Sequence, residues 1–394
     1  MAGAVIVAGA RTPMGRLSGS LRQLSAVELG GVAIAEALRR SGIDPAAVDS
    51  VVLGHVLQAG QGQGTARQAA YRAGIPLGVP AMTVNKVCLS GLQAIHLADV
   101  LIGAGEADAV VAGGMESMTG APHLLPGARA GYRYGSGELL DAVYVDGLLC
   151  AFDQEAMGRS CDRYAAGSGI SRTRQDELAA RSHERAAAAA GAGRLAEEIV
   201  PVTIPQGRGE PVVVAADEGI RPGTTPAGLA ALRPAFSPDG TVTAGNASQI
   251  SDGAAALLVT SRARAEQLGV APLAEIVAYG QVAGPDTSLL TQPSRAIRAA
   301  LARAGMALSA VDLFEINEAF ASVAAASIDD LGVGDDVVNV NGGAIALGHP
   351  LGMSGARLVL TLAMELRRRG GGIGAAALCG GGGQGDAVVL RVLP

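Results

Sequence analysis

The chain is 394 residues long, 49% hydrophobic and 17% charged, which is ample material for a large core and for two domains or one duplicated unit. A net charge of −6 argues against a general nucleic-acid binder, and 57 glycines with no tryptophan point to tight turns and close backbone approaches rather than aromatic filling. Four dispersed cysteines, Cys88, Cys150, Cys161 and Cys379, contain no C-x-x-C pair, so they argue against a disulfide framework or zinc site and fit reduced thiols in a cytoplasmic protein. The opening MAGAVIVAGART has an apolar run without a basic flank and reads as a first strand rather than a signal peptide. No apolar run is long and pure enough to span a membrane.

In chain order, short β-branched runs alternate with longer Ala/Leu patterns. Val5–Val7, Val51–Leu53, Met82–Val84 and Ala109–Ala112 read as buried strands, with helices over Ala26–Ser41, Gly64–Ala73 and Leu89–Gly103 between them. The alternation predicts an α/β fold with a largely parallel sheet. From Thr119 to Ala247 the character changes to Pro/Gly-rich turns and few strand runs. A polar helix over Thr173–Ala190 is expected there, with Thr173 and Asp176 as a capping box. Near the C-terminus the earlier order returns. Ser90-Gly91-Leu92 leads to the strand at Ala109–Gly114, and Ser354-Gly355-Ala356 leads to another at Ala375–Gly381. The pairs share an offset of about 265 residues, as a duplicated unit would. The implied division is an N-terminal core half over 1–118 (completed by about 248–270), an inserted domain over 119–247 and a C-terminal core half over 271–394.

Four residues stand out. Cys88, in V-N-K-V-C-L-S-G-L-Q, lies where a strand gives way to a helix, and a helix N-terminus lowers the pKa of a thiol. A structural buried thiol fits the same local pattern. Asn317, in F-E-I-N-E-A-F, precedes an alanine-rich helix and on local sequence reads first as a helix cap or turn residue. His349, in N-G-G-A-I-A-L-G-H-P-L-G, is crowded by glycines, a composition that packs poorly and suits close approach of backbone to a ligand. His55, His96, His123 and His183 lack such settings and read as structural or solvated. Cys379 precedes four glycines in A-L-C-G-G-G-G-Q-G-D-A-V-V-L. A strand, a turn and a second strand would leave bare N–H groups beside its thiol, donors suited to an oxyanion.

These residues lie within a longer ordered series: V-A-G-A-R-T-P-M-G, N-K-V-C-L-S-G-L, A-G-G-M-E-S-M, R-S-H-E-R-A, D-E-G-I-R-P-G-T-T, L-R-P-A-F, T-A-G-N-A-S, S-D-G-A-A-A, N-E-A-F, G-G-A-I-A-L-G-H-P-L-G and C-G-G-G-G-Q-G. The series covers essentially the whole chain and resembles the thiolase family, within it the acetyl-CoA acetyltransferases. The resemblance implies a duplicated α/β core of five layers (α-β-α-β-α), an inserted loop domain, and homodimers or homotetramers. It implies that Cys88 accepts the acyl group, that His349 helps activate its thiol and that Cys379 is the second acid/base. Asn317, through a bound water, and His349 would stabilise the thioester oxygen, and the backbone N–H groups of Cys88 and Gly381 the other oxyanion. The positions matching CoA contacts are Arg221, Ser248, Met157, Phe236, Ala319 and Phe320. CoA thioesters would be substrates, with no further cofactor.

Two departures bear on acyl length. Many short-chain members carry His where this chain has Ala156, and Leu289-Leu290-Thr291-Gln292-Pro293 replaces the family's M-G-x-G-P. A degradative 3-ketoacyl-CoA thiolase of broader chain length and a non-catalytic acyl-CoA-binding relative remain the alternatives. A cysteine protease needs no second cysteine, and a decarboxylating ketoacyl synthase would use two histidines, with a Phe-Gly loop where this chain has Cys379-Gly380; Asn317 and Cys379 point to a thiolase instead.

Overall fold

The computed structural model describes residues 3–207 and 209–394. Among these, nine strands of four or more residues form the central sheet: β1 (Ala4–Arg11), β2 (Ser50–Gly54), β3 (Ala81–Val84), β4 (Ala109–Ser117), β5 (Ser251–Ser261), β6 (Ala274–Ala283), β7 (Leu313–Ile316), β8 (Gly372–Gly380) and β9 (Gln384–Val392). Their order is β3-β2-β4-β5-β1-β6-β9-β8-β7, with the short strand Gly15–Arg16 against β5. The helices of eight or more residues are α1 (Ala26–Ser41), α2 (Thr65–Arg72), α3 (Ser90–Gly103), α4 (Met157–Ala165), α5 (Arg172–Gly191), α6 (Gln292–Ala304), α7 (Ala321–Leu331) and α8 (Leu351–Arg368).

The sheet is two copies of one unit. The N-terminal copy runs β3-β2-β4-β5-β1, and the C-terminal copy runs β7-β8-β9-β6, with Val338 pairing Phe314 where β3 pairs β2. Within the sheet, among the described residues, the copies join along β1 and β6 at two residue pairs, Val5 with Glu275 and Ile6 with Ala274. The sheet is mixed rather than largely parallel. Helical crossovers make β2–β3, β2–β4 and β7–β8 parallel, but the other pairings are antiparallel. A hairpin explains part of this: β8 turns into β9 through Gly381–Gly383, and Gly382 and Gly383 take φ of 78° and 71°, which only glycine adopts cheaply.

Alternation of strand faces and helical stripes sets the layers. α3 and α8 lie back to back in the middle and share one apolar cluster with both half-sheets, from Val110 and Leu257 to Leu378 and Val388. α1 and α2 cover the outer face of the N-terminal half, and α6 and α7 that of the C-terminal half. Gly91 and Gly355 are required where the inner helices cross. A Cβ there would stand 2.7 Å from Gly352 O or 2.3 Å from Leu92 N, against backbone that cannot yield. The polar helix appears as α5, but its cap is Ser171, whose hydroxyl accepts Arg174 N–H. Asp176 is instead buried, holding Arg172 and Asn246.

Candidate active site

The turn between β3 and α3 carries Cys88. Asn85 Oδ1 accepts Val87 N–H at 2.9 Å, and Val87 takes φ 51°, a costly conformation for a β-branched residue. Lys86, the single lysine, ties this turn to the other half of the molecule through Asp386, at 2.8 and 2.9 Å. Part of Cys88 reaches solvent, but its sulfur is crowded by protein, and that burial pushes the thiol up to about 12. The N–H groups of Cys88 itself and of Gly381 pull it down, and the Glu116 charge pushes it up further. The lowering expected from the helix start does not prevail. α3 begins two residues later, and the N–H groups of Leu89 and Ser90 are already bonded to Lys86 O and Val87 O.

His349 follows a tight glycine segment and precedes α8. Its Nδ1 lies 2.6 Å from Ser354 Oγ, whose own hydroxyl donates to Pro350 O at 2.8 Å. With its proton so committed, Ser354 accepts from Nδ1–H, which leaves the lone pair on Nε2. Nε2 faces Asn317 Nδ2 at 3.4 Å. Burial, then the nearby Arg357 charge, holds the imidazole down to about 3. Asn317 lies at the end of β7, where its N–H bonds Ala377 O on β8. It is not a helix cap, because α7 starts at Ala321 behind Phe320. Its Oδ1 is buried with no protein partner among the described residues.

Cys379 is buried near the end of β8, and Gly381 opens the turn beyond it. Burial raises the Cys379 thiol well above its ordinary range, and the neighbouring Cys88 and Cys161 sulfurs raise it further. The glycine run is therefore a hairpin turn whose Gly381 N–H reaches the Cys88 sulfur.

A cavity of about 340 Å³ opens beside His349. Of the positions singled out in the sequence, Met157, Phe236, Ser248 and Phe320 line it together with His349, and the Phe236 and Phe320 rings meet edge-on at 6.3 Å. Ala156 also lies on the wall, whereas Leu289 and Leu290 are core residues away from it. Ala319 stands behind the wall, its carbonyl accepting Ser248 N–H at 3.0 Å. Cys88, Asn317, Cys379 and Gly381 are not on the wall, and Arg221 is exposed outside it. Cys88 connects to it sideways: Met118, Leu148, Ile250 and Leu351 line the cavity and belong to the apolar cluster on which Cys88 packs.

Sequence reasoning missed the groups behind these residues. Glu116, fully buried, accepts N–H groups of Val56, Leu57 and Gly352 at 3.1, 3.1 and 2.9 Å, so it binds the loop after β2 to the first turn of α8. His55 Nε2 stands 3.3 Å from it, and burial pushes the Glu116 carboxyl up to about 7. The only signal was the motif A-G-G-M-E-S-M, which does not say what the glutamate holds.

Comparison with known proteins agrees with this architecture. Residues 4–263 match the model of the thiolase N-terminal domain and residues 270–392 that of the thiolase C-terminal domain. The chain is 56% identical over 391 residues to a "Probable acetyl-CoA acetyltransferase" of Mycobacterium tuberculosis, covering 99% of this chain and 100% of that one. It is 50% identical over 392 residues to the acetyl-CoA acetyltransferase of Cupriavidus necator, again covering 99% and 100%. The crystal structure of the Bacillus anthracis acetyl-CoA acetyltransferase superposes with a TM-score of 0.97 at 41% identity, over 100% of this chain and 99% of that one. The chain belongs to the thiolase family.

Proposed function

We propose that this thiolase is an acyltransferase that condenses two acetyl-CoA molecules reversibly to acetoacetyl-CoA and CoA, through an acyl group carried on Cys88. The substrates are CoA thioesters and no further cofactor is needed. In the first half-reaction His349 Nε2 takes the Cys88 proton as the sulfur attacks the thioester carbonyl, and returns it to the departing CoA sulfur. In the second, Cys379 gives its proton to His349 Nε2 and, as thiolate, removes an α-proton from the incoming acetyl-CoA. The enolate oxygen is held by His349, now protonated, and by a water on Asn317, whose unpartnered Oδ1 supports that role. The enolate carbon attacks the acyl carbonyl, whose oxyanion takes the N–H groups of Cys88 and Gly381. Collapse releases acetoacetyl-CoA and the Cys88 thiolate, which His349 reprotonates, while the α-proton stays on Cys379 and restores its thiol.

One observation carries this reading: a second thiol stands beside Cys88, since the Gly380–Gly381 turn that follows Cys379 packs against Leu89 and Val87, the two chain neighbours of Cys88. One thiol can hold the acyl group while the other serves as base, which supports a ping-pong order. Arg221, exposed and without a side-chain hydrogen-bond partner among the described residues, is assigned to the CoA phosphates. Residues 119–247 act as the domain that covers the cofactor-like tail of the substrate. Subunits associate as dimers or tetramers, in keeping with the unpaired edge strand β3 and its exposed Met82. No described helix is long and apolar enough to cross a membrane, and we assign the protein to the cytoplasm.

The test is intact-protein mass spectrometry after exposure to acetyl-CoA. Wild type and Cys379→Ala gain one acetyl group and Cys88→Ser gains none, while Cys379→Ala forms no acetoacetyl-CoA. Condensation by Cys379→Ala near the wild-type rate would make Cys379 structural, and absence of any acetylation would leave an acyl-CoA binder. A broader chain length is favoured by the apolar wall of Met118, Leu148, Ile250 and Leu351 shared between Cys88 and the cavity. Thiolysis rates on acetoacetyl-CoA and 3-ketohexanoyl-CoA decide between the two.

A further inference from the structure

The motif R-S-H-E-R-A has no part in the chemistry above. It lies on α5, and two adjacent residues of it reach separate parts of the site. Ser182 and His183 are 3% and 2% exposed, and one residue along a helix turns the side chain by about 100°, so they face different elements.

Ser182 Oγ donates to Glu318 Oε2 at 2.6 Å and accepts Gly343 N–H at 3.0 Å. Glu318, itself buried, takes two more donors: Asn339 Nδ2 at 2.9 Å and Ile345 N–H at 3.1 Å. Asn339 also holds both backbone groups of Ile316, accepting its N–H and donating to its carbonyl at 2.8 Å each. Asn317 is therefore bracketed, its predecessor clamped by Asn339 and its successor by Ser182, Asn339 and Ile345. Gly343 and Ile345 belong to the segment that runs directly into His349. A single buried carboxylate thus ties the strand end carrying Asn317 to the segment carrying His349. Gly343 leaves it room, since a Cβ there would stand 2.1 Å from the carboxyl carbon.

His183, reckoned structural or solvated from sequence, is buried, and its Nδ1 accepts the Arg221 N–H at 3.2 Å. Burial, then the Arg221 charge, holds His183 down to about 4, so Nδ1 keeps its lone pair at neutral pH.

We propose that Ser182 and His183 are positioning residues with separate effects: Ser182, through Glu318, sets the Asn317–His349 geometry used in the chemical step, and His183 sets the main chain of Arg221 used in binding CoA. The His183 half rests on the assignment of Arg221 to CoA made above, and the Ser182 half does not.

Steady-state thiolysis of acetoacetyl-CoA by the full-length enzyme separates the two effects. Ser182→Ala is expected to lose about tenfold or more in kcat with KM values within about twofold, and Ser182→Thr, which keeps the hydroxyl, to recover most of it. His183→Leu is expected to raise KM for CoA and for acetoacetyl-CoA together by about five- to tenfold, because both carry the same phosphates, with kcat within about twofold. The same pattern in both variants, or the reverse assignment of kcat and KM, overturns the proposal. If Ser182→Ala does not fold, Glu318→Gln gives the same test: its amide nitrogen cannot accept the donors that the carboxylate accepts, and an unchanged kcat there overturns the Ser182 half. Arg221→Ala separates the two readings. If it leaves both KM values unchanged, the CoA assignment falls and takes the His183 half with it, while a kcat loss in Ser182→Ala would still support the Ser182 half.

Discussion

Raising pH from 6.5 to 9.5 and following alkylation of Cys88 by iodoacetamide tests how the free enzyme holds its nucleophile. Burial pushes this thiol from 9.0 up to about 12. At pH 8 a thiol near 9.0 would be about one-tenth ionised, whereas one near 12 is ionised in about one molecule in ten thousand. His349, held down to about 3, is not a charged partner at that pH. Both groups are therefore neutral at rest, and in the proposed reaction the proton moves only as substrate is attacked. The expected alkylation rate is slow at neutral pH and climbs about tenfold per pH unit with no plateau. Intact mass assigns the adduct, with Cys88→Ala as the control for Cys150, Cys161 and Cys379. A flat, fast rate between pH 6.5 and 8 would mean a preformed thiolate–imidazolium pair and would refute the reasoning.

Other perturbations follow from the same geometry. Glu116→Gln removes a charge that raises the Cys88 thiol, so alkylation at fixed pH should become faster even if turnover falls. Gly380→Ala would place a Cβ 2.6 Å from Leu89 Cγ, beside Cys88, and overpacking of this kind costs about 1–3 kcal/mol. Urea unfolding should show that loss, and acetylation should slow because Leu89 and the thiol are pushed aside. Asn317→Asp should lower kcat by at least as much as Asn317→Ala, about a hundredfold, because a carboxylate repels the enolate. A fully active Asp variant in steady-state thiolysis would remove Asn317 from the oxyanion.

Much of the fold was legible because duplication repeats a pattern. The offset shared by Ser90 and Ser354 marked α3 and α8 as equivalent, and the strands after them are β4 and β8. Strand direction was not legible: β-branched runs report burial, and a buried antiparallel strand such as β5 looks like a parallel one. Local reading also misjudged polar residues whose partners are distant in sequence. His183 and Asp176 lie on a helix that looks solvated, yet their partners Arg221 and Asn246 are 38 and 70 residues away. The Cys88 thiol was misjudged for a similar reason. A helix start can be read from sequence, but the crowding that desolvates the sulfur comes from several segments.

The repeat also explains why the site draws on both halves. Cys88 stands two residues before α3, and His349 stands two residues before the equivalent α8. Cys379 is the next-to-last residue of β8, and Glu116 is the next-to-last residue of the equivalent β4. Asn317 directly follows β7, and His55 directly follows the equivalent β2. Each half therefore presents three side chains at the same three positions: Cys88, Glu116 and His55 from one, His349, Cys379 and Asn317 from the other. The sets have diverged in chemistry. In the C-terminal half the strand-end positions hold a thiol and an amide whose oxygen has no protein partner among the described residues. In the N-terminal half they hold a carboxyl and an imidazole turned toward each other. The carboxyl there is saturated by three backbone N–H groups, one of them Gly352, three residues past His349. A carboxylate so committed is unsuited to proton transfer, but it fixes the start of α8 and hence the histidine in front of it. In the proposed reaction the N-terminal copy would thus supply the nucleophile and the scaffold for its base, and the C-terminal copy the base, the second thiol and the amide.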